Sequence, residues 1–273
     1  MSALHPTLFR RVCLNSKMKL CRATHPAFEQ PRYGAIEGST VHVFEAGVSL
    51  DTVPTSQSSH TVSLEELTLV APVTPSKVVC VGRNYREHAA ELGNKTPEEP
   101  LLFLKAPSAV IGDGDTIELP LQSERVEHEG ELGVVIGRQA RHISADEDPL
   151  SYVLGYTCVN DVTARDLQRK DVQFTRAKSF DTFCPVGPVI VRDINPLDVE
   201  VTTRLNGDIK QRARTSTMAF PVPFLIRYIA EIMTLYPGDL IATGTPAGVS
   251  PMKHGDVVEI EIEGIGVLRN VVN

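Results

Sequence analysis

Two carboxylates open an apolar run: Val126-Glu127-His128-Glu129-Gly130-Glu131-Leu132-Gly133-Val134-Val135-Ile136-Gly137. The run reads as a strand. Side chains on a strand alternate between two faces, so Glu129 and Glu131 point the same way. Like charges that close raise each other's pKa unless something positive stands between them. The next strand-like run, Val153 to Val159, ends in Asn160-Asp161 and brings a third acid. Three carboxylates converging on one spot suit a hard, oxygen-seeking divalent cation, Mg²⁺ or Mn²⁺. The competing interpretation is a solvated strand face with surface salt bridges. Gly133 and Gly137 continue the acidic face, and glycine weakens strands. Glycines there are expected where a metal and a ligand need room.

The segments from Met18 to about Val73 are short and strand-like. A hairpin is expected from Tyr33–Ile36 and Thr40–Phe44 around Glu37-Gly38. Ser63 and Glu66 have the spacing of a capping box for a short helix. Ala71-Pro72-Val73-Thr74-Pro75-Ser76 is a stiff linker, and a domain boundary is placed there, giving a small unit at 18–73 and a larger one at 77–273. Lys77–Gly82 and Leu101–Lys105 read as strands, Arg83–Leu92 as a helical turn or two, and 93–100 as a mobile loop. Val162–Arg169 looks helical. Phe220–Tyr236 is the clearest helix, with Phe224, Leu225, Tyr228, Ile229, Ile232 and Met233 as one apolar stripe that packs either inside the domain or on a second subunit. In the tail, Asp256–Glu263 alternates from Val258 on and reads as a half-exposed strand. Strands outnumber helices.

Composition excludes several function classes. The net charge is −7 and no basic cluster appears, which disfavours nucleic acid. No apolar run reaches membrane-spanning length. Five scattered cysteines without a CxxC pair argue against a disulfide framework or a zinc site and for the reducing cytoplasm. Residues 1–17 carry Arg10 and Arg11 and no acid; a weak organelle-targeting signal is one reading, but the segment is short with little amphipathic pattern and reads rather as an extension ahead of a second start at Met18.

Further residues carry possible chemistry. His88 and Glu91 are helical neighbours, and a carboxylate beside an imidazole raises its basicity, which suits activation of a water. The alternative is an exposed helix of mixed charge. Arg165 and Gln168 follow Asp161 by one and two helical turns and could bind an anionic substrate; Arg165 could equally pair with an acid for structural reasons. Lys178, in an unpatterned stretch, is either solvated or placed to neutralise an enolate. Thr243-Gly244-Thr245-Pro246-Ala247-Gly248 is a tight turn with two hydroxyls and lacks the Lys-Ser/Thr of a phosphate-binding loop.

Taken together, Cys80-Val81-Gly82-Arg83-Asn84-Tyr85 with His88, Leu102-Phe103-Leu104-Lys105, Glu129-x-Glu131-Leu132, Asn160-Asp161-Val162-Thr163-Ala164-Arg165-Asp166, Ala177-Lys178-Ser179-Phe180 and Thr243-Gly244-Thr245-Pro246 closely resemble the fumarylacetoacetate hydrolase family. The resemblance implies an α+β, β-rich fold, a mixed β-roll or sandwich with a small N-terminal domain. It implies Mg²⁺ or Mn²⁺ on Glu129, Glu131 and Asp161, a lid carrying His88 and Glu91, substrate contacts from Lys178, Gln168 and Thr245, and a homodimer. Some members have a fourth acid on the strand before the lid; Lys77–Gly82 has none, which is similar to the smaller bacterial and mitochondrial members. The implied substrate is a small 2-oxo or 1,3-dicarbonyl acid. Carbon–carbon cleavage, by acylpyruvate hydrolysis or oxaloacetate decarboxylation, is the first expectation. Isomerisation of a 2-hydroxy-dienedioate is the second.

Overall fold

The computed structural model describes residues 19–53 and 58–273. The extension at 1–17 therefore lies outside the described residues. Strands dominate, as the short β-branched runs between glycine and proline turns require. The largest sheet runs in the order Ser58–Ser63, Thr40–Phe44, Arg32–Glu37, Lys19–Thr24, Cys184–Val191, Val153–Asn160, Gly130–Ile136, Leu240–Ala242, Val78–Gly82, Leu101–Lys105. A five-stranded sheet of Asp208–Arg214, Glu200–Leu205, Val257–Ile262, Gly266–Val272 and Thr116–Ile117 packs against its centre. The fold is thus α+β and strand-rich, as the sequence predicts.

The large sheet does not lie flat. Leu101–Lys105 stands four positions from Val153–Asn160 along the path. At the usual strand spacing that is roughly 19 Å across a flat sheet. Yet Lys105 Nζ lies 2.5 Å from Asp161 Oδ1, immediately after Val153–Asn160. The sheet therefore rolls up. Val110–Ile111 closes the roll by pairing in parallel with Cys184–Pro185. Val79, Leu132, Val134, Cys158 and Ile241 are fully buried, and Cys158 turns toward Gly266 of the five-stranded sheet.

Within the roll, Leu240–Ala242 runs parallel to Val78–Gly82, and no turn can hold two parallel strands in register. Buried Asp239 does so instead. It accepts from Ser76 N at 3.0 Å and Tyr236 N at 2.8 Å and pairs with Lys77 Nζ at 2.5 Å. Both strands then end at the same place. Asn84 Nδ2 donates to Thr243 O at 2.7 Å, so the turn after one strand is bonded to the turn after the other.

The N-terminal hairpins join the same sheet, Lys19 pairing with Val191 and Leu20 with Ile190. The expected hairpin is present, Ile36 facing Val41. Two local expectations differ. Ser63 starts a 3₁₀ turn at Leu64–Glu66 but makes no side-chain cap bond. The long helix is confined to Val222–Ile232. Its inner face is Val222, Leu225, Ile226, Ile229 and Ala230, while Phe224 and Ile232 are exposed. Phe224 instead stacks between Phe220 and Tyr228 on the outside. The predicted stripe was rotated, because a broad apolar composition hides which arc faces in.

Candidate active site

Glu131 lies in the Gly130–Ile136 strand and Glu129 immediately before it. The antiparallel register sets Glu131 opposite Val159, so Asp161 emerges opposite Glu129 and its N–H donates to Glu129 O at 2.8 Å. Carboxylate oxygens of Glu129, Glu131 and Asp161 lie within 4.8 Å of one another, and all three residues are buried. They form the floor of a cavity of about 390 Å³. The glycine beside them has a different reason from the one expected. A Cβ on Gly133 would come within 2.6 Å of Val159 Cγ2 and 3.0 Å of Thr157 Cγ2, so the neighbouring strand uses the space, not a ligand.

Buried cations answer the acids. Lys178, on the short Thr175–Lys178 helix, donates to Glu129 Oε2 at 2.8 Å and Asp161 Oδ2 at 2.6 Å. Lys105 holds the other oxygen of Asp161 and also donates to Val162 O at 3.0 Å. Arg165 opens the Arg165–Lys170 helix. Its Nε donates to Glu127 Oε2 at 2.6 Å, its Nη2 to Glu129 and its Nη1 to Gln168 Oε1. Arg165 thus grips two acids, and Gln168 is left with its amide nitrogen for the cavity it lines.

Four buried carboxylates, Glu127, Glu129, Glu131 and Asp161, meet three buried cations, Lys105, Arg165 and Lys178. Glu127 is paired a second time, with the half-exposed Arg125 Nε at 2.6 Å, which leaves Glu131 as the acid without a basic partner. Glu131 Oε2 accepts only the Gly244 N–H, at 2.7 Å. Burial first, then Asp161 and Glu129, push its pKa well above the carboxylate range. Burial alone would also raise Glu129, but Lys178 and Arg165 outweigh it and hold that carboxyl well below its usual value. Burial opposes the charge on Lys178, yet Asp161 and Glu129 hold its pKa up at about 12. Three converging buried carboxylates, one of them without a basic partner, fit a divalent cation on Glu129, Glu131 and Asp161.

His88 lines the same cavity and is 4% exposed. It sits in the Arg86–Glu91 helix with Nδ1 3.3 Å from Glu91 Oε2. Glu91 is in turn held by Gly248 N–H at 3.0 Å, so the helix is bonded to the Thr243–Gly248 turn. Thr245, in that turn, donates to Gly130 O at 2.9 Å and lines the cavity. All nine candidate residues named from the sequence therefore converge here, Glu91 through its contact with His88. Sequence reasoning missed Lys105 and Glu127. Lys105 looks like the solvated end of a strand; its signals are a charge closing the apolar run Leu101–Leu104 and its place in the family motif Leu102–Lys105, neither of which gives it a role.

A family model, the fumarylacetoacetate (FAA) hydrolase C-terminal domain, matches residues 77–273. The chain belongs to the fumarylacetoacetate hydrolase family. It is an enzyme of that family by descent. It is 55% identical over 74% of its length to the uncharacterised protein MJ1656 of Methanocaldococcus jannaschii, covering 85% of that protein. It is 44% identical to oxaloacetate tautomerase YisK of Bacillus subtilis, over 76% of this chain and 74% of that one. Among solved structures, 2-hydroxyhepta-2,4-diene-1,7-dioate isomerase of Mycobacterium marinum superposes with a TM-score of 0.84 at 44% identity, covering 93% of this chain and 98% of that one. Among the described residues no helix is long and apolar enough to cross a membrane. The four described cysteines, Cys21, Cys80, Cys158 and Cys184, are buried and free.

Proposed function

We propose that this enzyme is divalent-metal-dependent and acts on a small 2-oxo or 1,3-dicarbonyl acid by way of its enolate. The observation that carries this is the buried acid trio, its oxygens within 4.8 Å of one another, at the floor of the cavity that His88 lines. Glu129, Glu131 and Asp161 would hold Mg²⁺ or Mn²⁺, which would supply a Lewis acid. The chain's own groups do the rest. Lys178 spends two of its three N–H donors on Glu129 and Asp161 and keeps one for a substrate oxygen. Gln168 and Thr245 offer neutral polar groups along the wall. His88, steadied by Glu91, is the base that takes a proton from the carbon beside the carbonyl.

Two reactions can use this site, and only in the first does His88 remove that proton. Returned to a different atom of the substrate, it completes a tautomerisation or isomerisation. This version comes first because YisK is named an oxaloacetate tautomerase and the Mycobacterium marinum protein a dienedioate isomerase. The second version is carbon–carbon cleavage, as in acylpyruvate hydrolysis or oxaloacetate decarboxylation. Its hydrolytic form is favoured by the His88–Glu91 pair beside a cavity of about 390 Å³, which leaves room for a small acid and a water. His88 takes the proton from that water, hydroxide adds to the acyl carbonyl, and the C–C bond breaks to release the enolate, whereas decarboxylation needs no water. The test is turnover of oxaloacetate and of acetylpyruvate in Mg²⁺ and in chelator, by wild type and by Glu129→Ala and Asp161→Ala. Activity is expected in Mg²⁺ alone and is lost in both variants. Full activity of either variant in chelator refutes the proposal.

A further inference from the structure

Gln211 lies in the Asp208–Arg214 strand of the five-stranded sheet, fully buried and outside the cavity lining. Its amide has four polar partners. Oε1 accepts from Gly130 N at 3.0 Å and meets His128 Nδ1 at 3.2 Å. Nε2 donates to Pro246 O at 2.6 Å and to Thr245 Oγ1 at 2.7 Å. Two of these partners are backbone groups with one role each, since an N–H only donates and a carbonyl only accepts. They fix which end of the amide is oxygen. A flipped amide would set donor against donor at Gly130 and acceptor against acceptor at Pro246.

The rest of the chain of bonds then has one direction. His128 Nδ1 carries a hydrogen, and its Nε2 accepts from Ser250 Oγ at 2.8 Å. Thr245 Oγ1 accepts from Gln211, so its own hydrogen cannot turn that way. It goes to Gly130 O, or is handed to an oxygen in the cavity that Thr245 lines. We propose that Gln211 is a positioning residue: by donating to Thr245 Oγ1 from behind, it keeps the hydroxyl hydrogen available to an anionic substrate oxygen. A hydroxyl that accepts one bond is polarised into a stronger donor of the other. Gln211 reaches the cavity through Thr245, which lines it, and through Gly130, which stands between Glu129 and Glu131; Gln211→Glu keeps an oxygen for the Gly130 N–H and so changes only the bonds on the Thr245 side. The inference rests on the reading of this cavity as the site for an oxo acid.

A mutant cycle tests it. Gln211→Glu keeps the shape but offers Thr245 only oxygen, which draws the hydroxyl hydrogen away from the cavity. With oxaloacetate and Mg²⁺, KM should rise about ten- to a hundredfold, the range for one hydrogen bond to a charged group. The change in kcat should be smaller than the change in KM. The dissociation constant of oxalate, measured by calorimetry in Mg²⁺, should rise by a similar factor. Thr245→Val should produce the same loss, and adding Gln211→Glu to it should change neither quantity further. Independent, multiplying effects overturn the inference, as does a fall in kcat at unchanged KM. If circular dichroism shows that Gln211→Glu does not fold, Gln211→Met carries the same cycle without a buried charge. A wild type that neither binds oxalate nor turns over oxaloacetate removes the oxo-acid reading and this inference with it. An active wild type with multiplying effects removes the inference alone.

Discussion

Glu131→Gln is expected to stabilise the metal-free protein, the opposite of what a buried polar substitution usually does. Glu131 is 2% exposed and is the acid that Lys105, Arg165 and Lys178 leave without a partner, so folding must either bury its charge or hold its proton. At 4.8 Å two unit charges repel by about 3.5 kcal/mol when the effective dielectric constant is about 20. Lys178 stands between Glu129 and Asp161 and offsets part of that, so the gain from removing the charge is about 1–3 kcal/mol. The substituted amide keeps its oxygen for the Gly244 N–H. For a chain of this length the gain raises the melting midpoint by roughly 2–5 °C. Mg²⁺ at a hundred times its dissociation constant stabilises the wild type by about 2.7 kcal/mol, roughly 5 °C, and the variant by much less. Differential scanning calorimetry in chelator and in Mg²⁺ measures both quantities. A variant that melts below wild type in chelator, or that retains the full Mg²⁺ response, would refute the charge assignment.

The same two acids give stability opposite pH dependences in chelator. Glu131, raised in the fold, contributes stability that is complete below the ordinary glutamate range and is lost as pH rises through its folded value. Glu129, lowered in the fold, contributes stability present above the ordinary range and lost as pH falls through its folded value. Urea titrations from mildly acidic to neutral pH should therefore show the rising-pH loss in wild type and not in Glu131→Gln. Lys105→Met leaves Asp161 short of a buried partner and should cost about 3–5 kcal/mol, read as a drop of roughly 5–9 °C in melting midpoint; a loss under 1 °C would contradict the buried pair. His88→Ala should lower kcat about 10²- to 10⁴-fold while leaving Mg²⁺ affinity unchanged by calorimetry. Gly248→Ala would set a Cβ 1.9 Å from Lys210 O at a φ of +106°, so the turn must shift and Glu91 lose its N–H donor. Reduced turnover with intact Mg²⁺ binding is the expected result.

How much of this was legible in the sequence depends on how far apart the partners lie. Glu129 and Glu131 share a face through local strand geometry alone, and Asp161 follows because the very next long strand pairs with theirs. The rolled sheet was not legible from periodicity. It depends on Val110–Ile111 finding Cys184–Pro185, a pairing that alternation within either segment does not announce. Lys178 sits on a helix of four residues, too short to leave a pattern, and only the family motif pointed to it. Gln211 was invisible because its partners at 128–130 and 245–246 come from both sides of it in the chain. The glycine argument reached the correct strand for the wrong reason, since crowding by Val159 and vacancy for a ligand look alike when only one strand is read.

The family match starts at residue 77, but the hydrogen-bonded sheet does not. A protein trimmed to that boundary would uncover the flank of Ile190 and Val191 that Leu20 and Lys19 now cover, together with the apolar side chains stacked beneath it. Raw edges of that kind recruit strands from neighbouring molecules. Anyone shortening this enzyme for crystallisation or for fusion to another protein should leave residues 19–70 in place, or expect aggregates rather than a smaller catalyst.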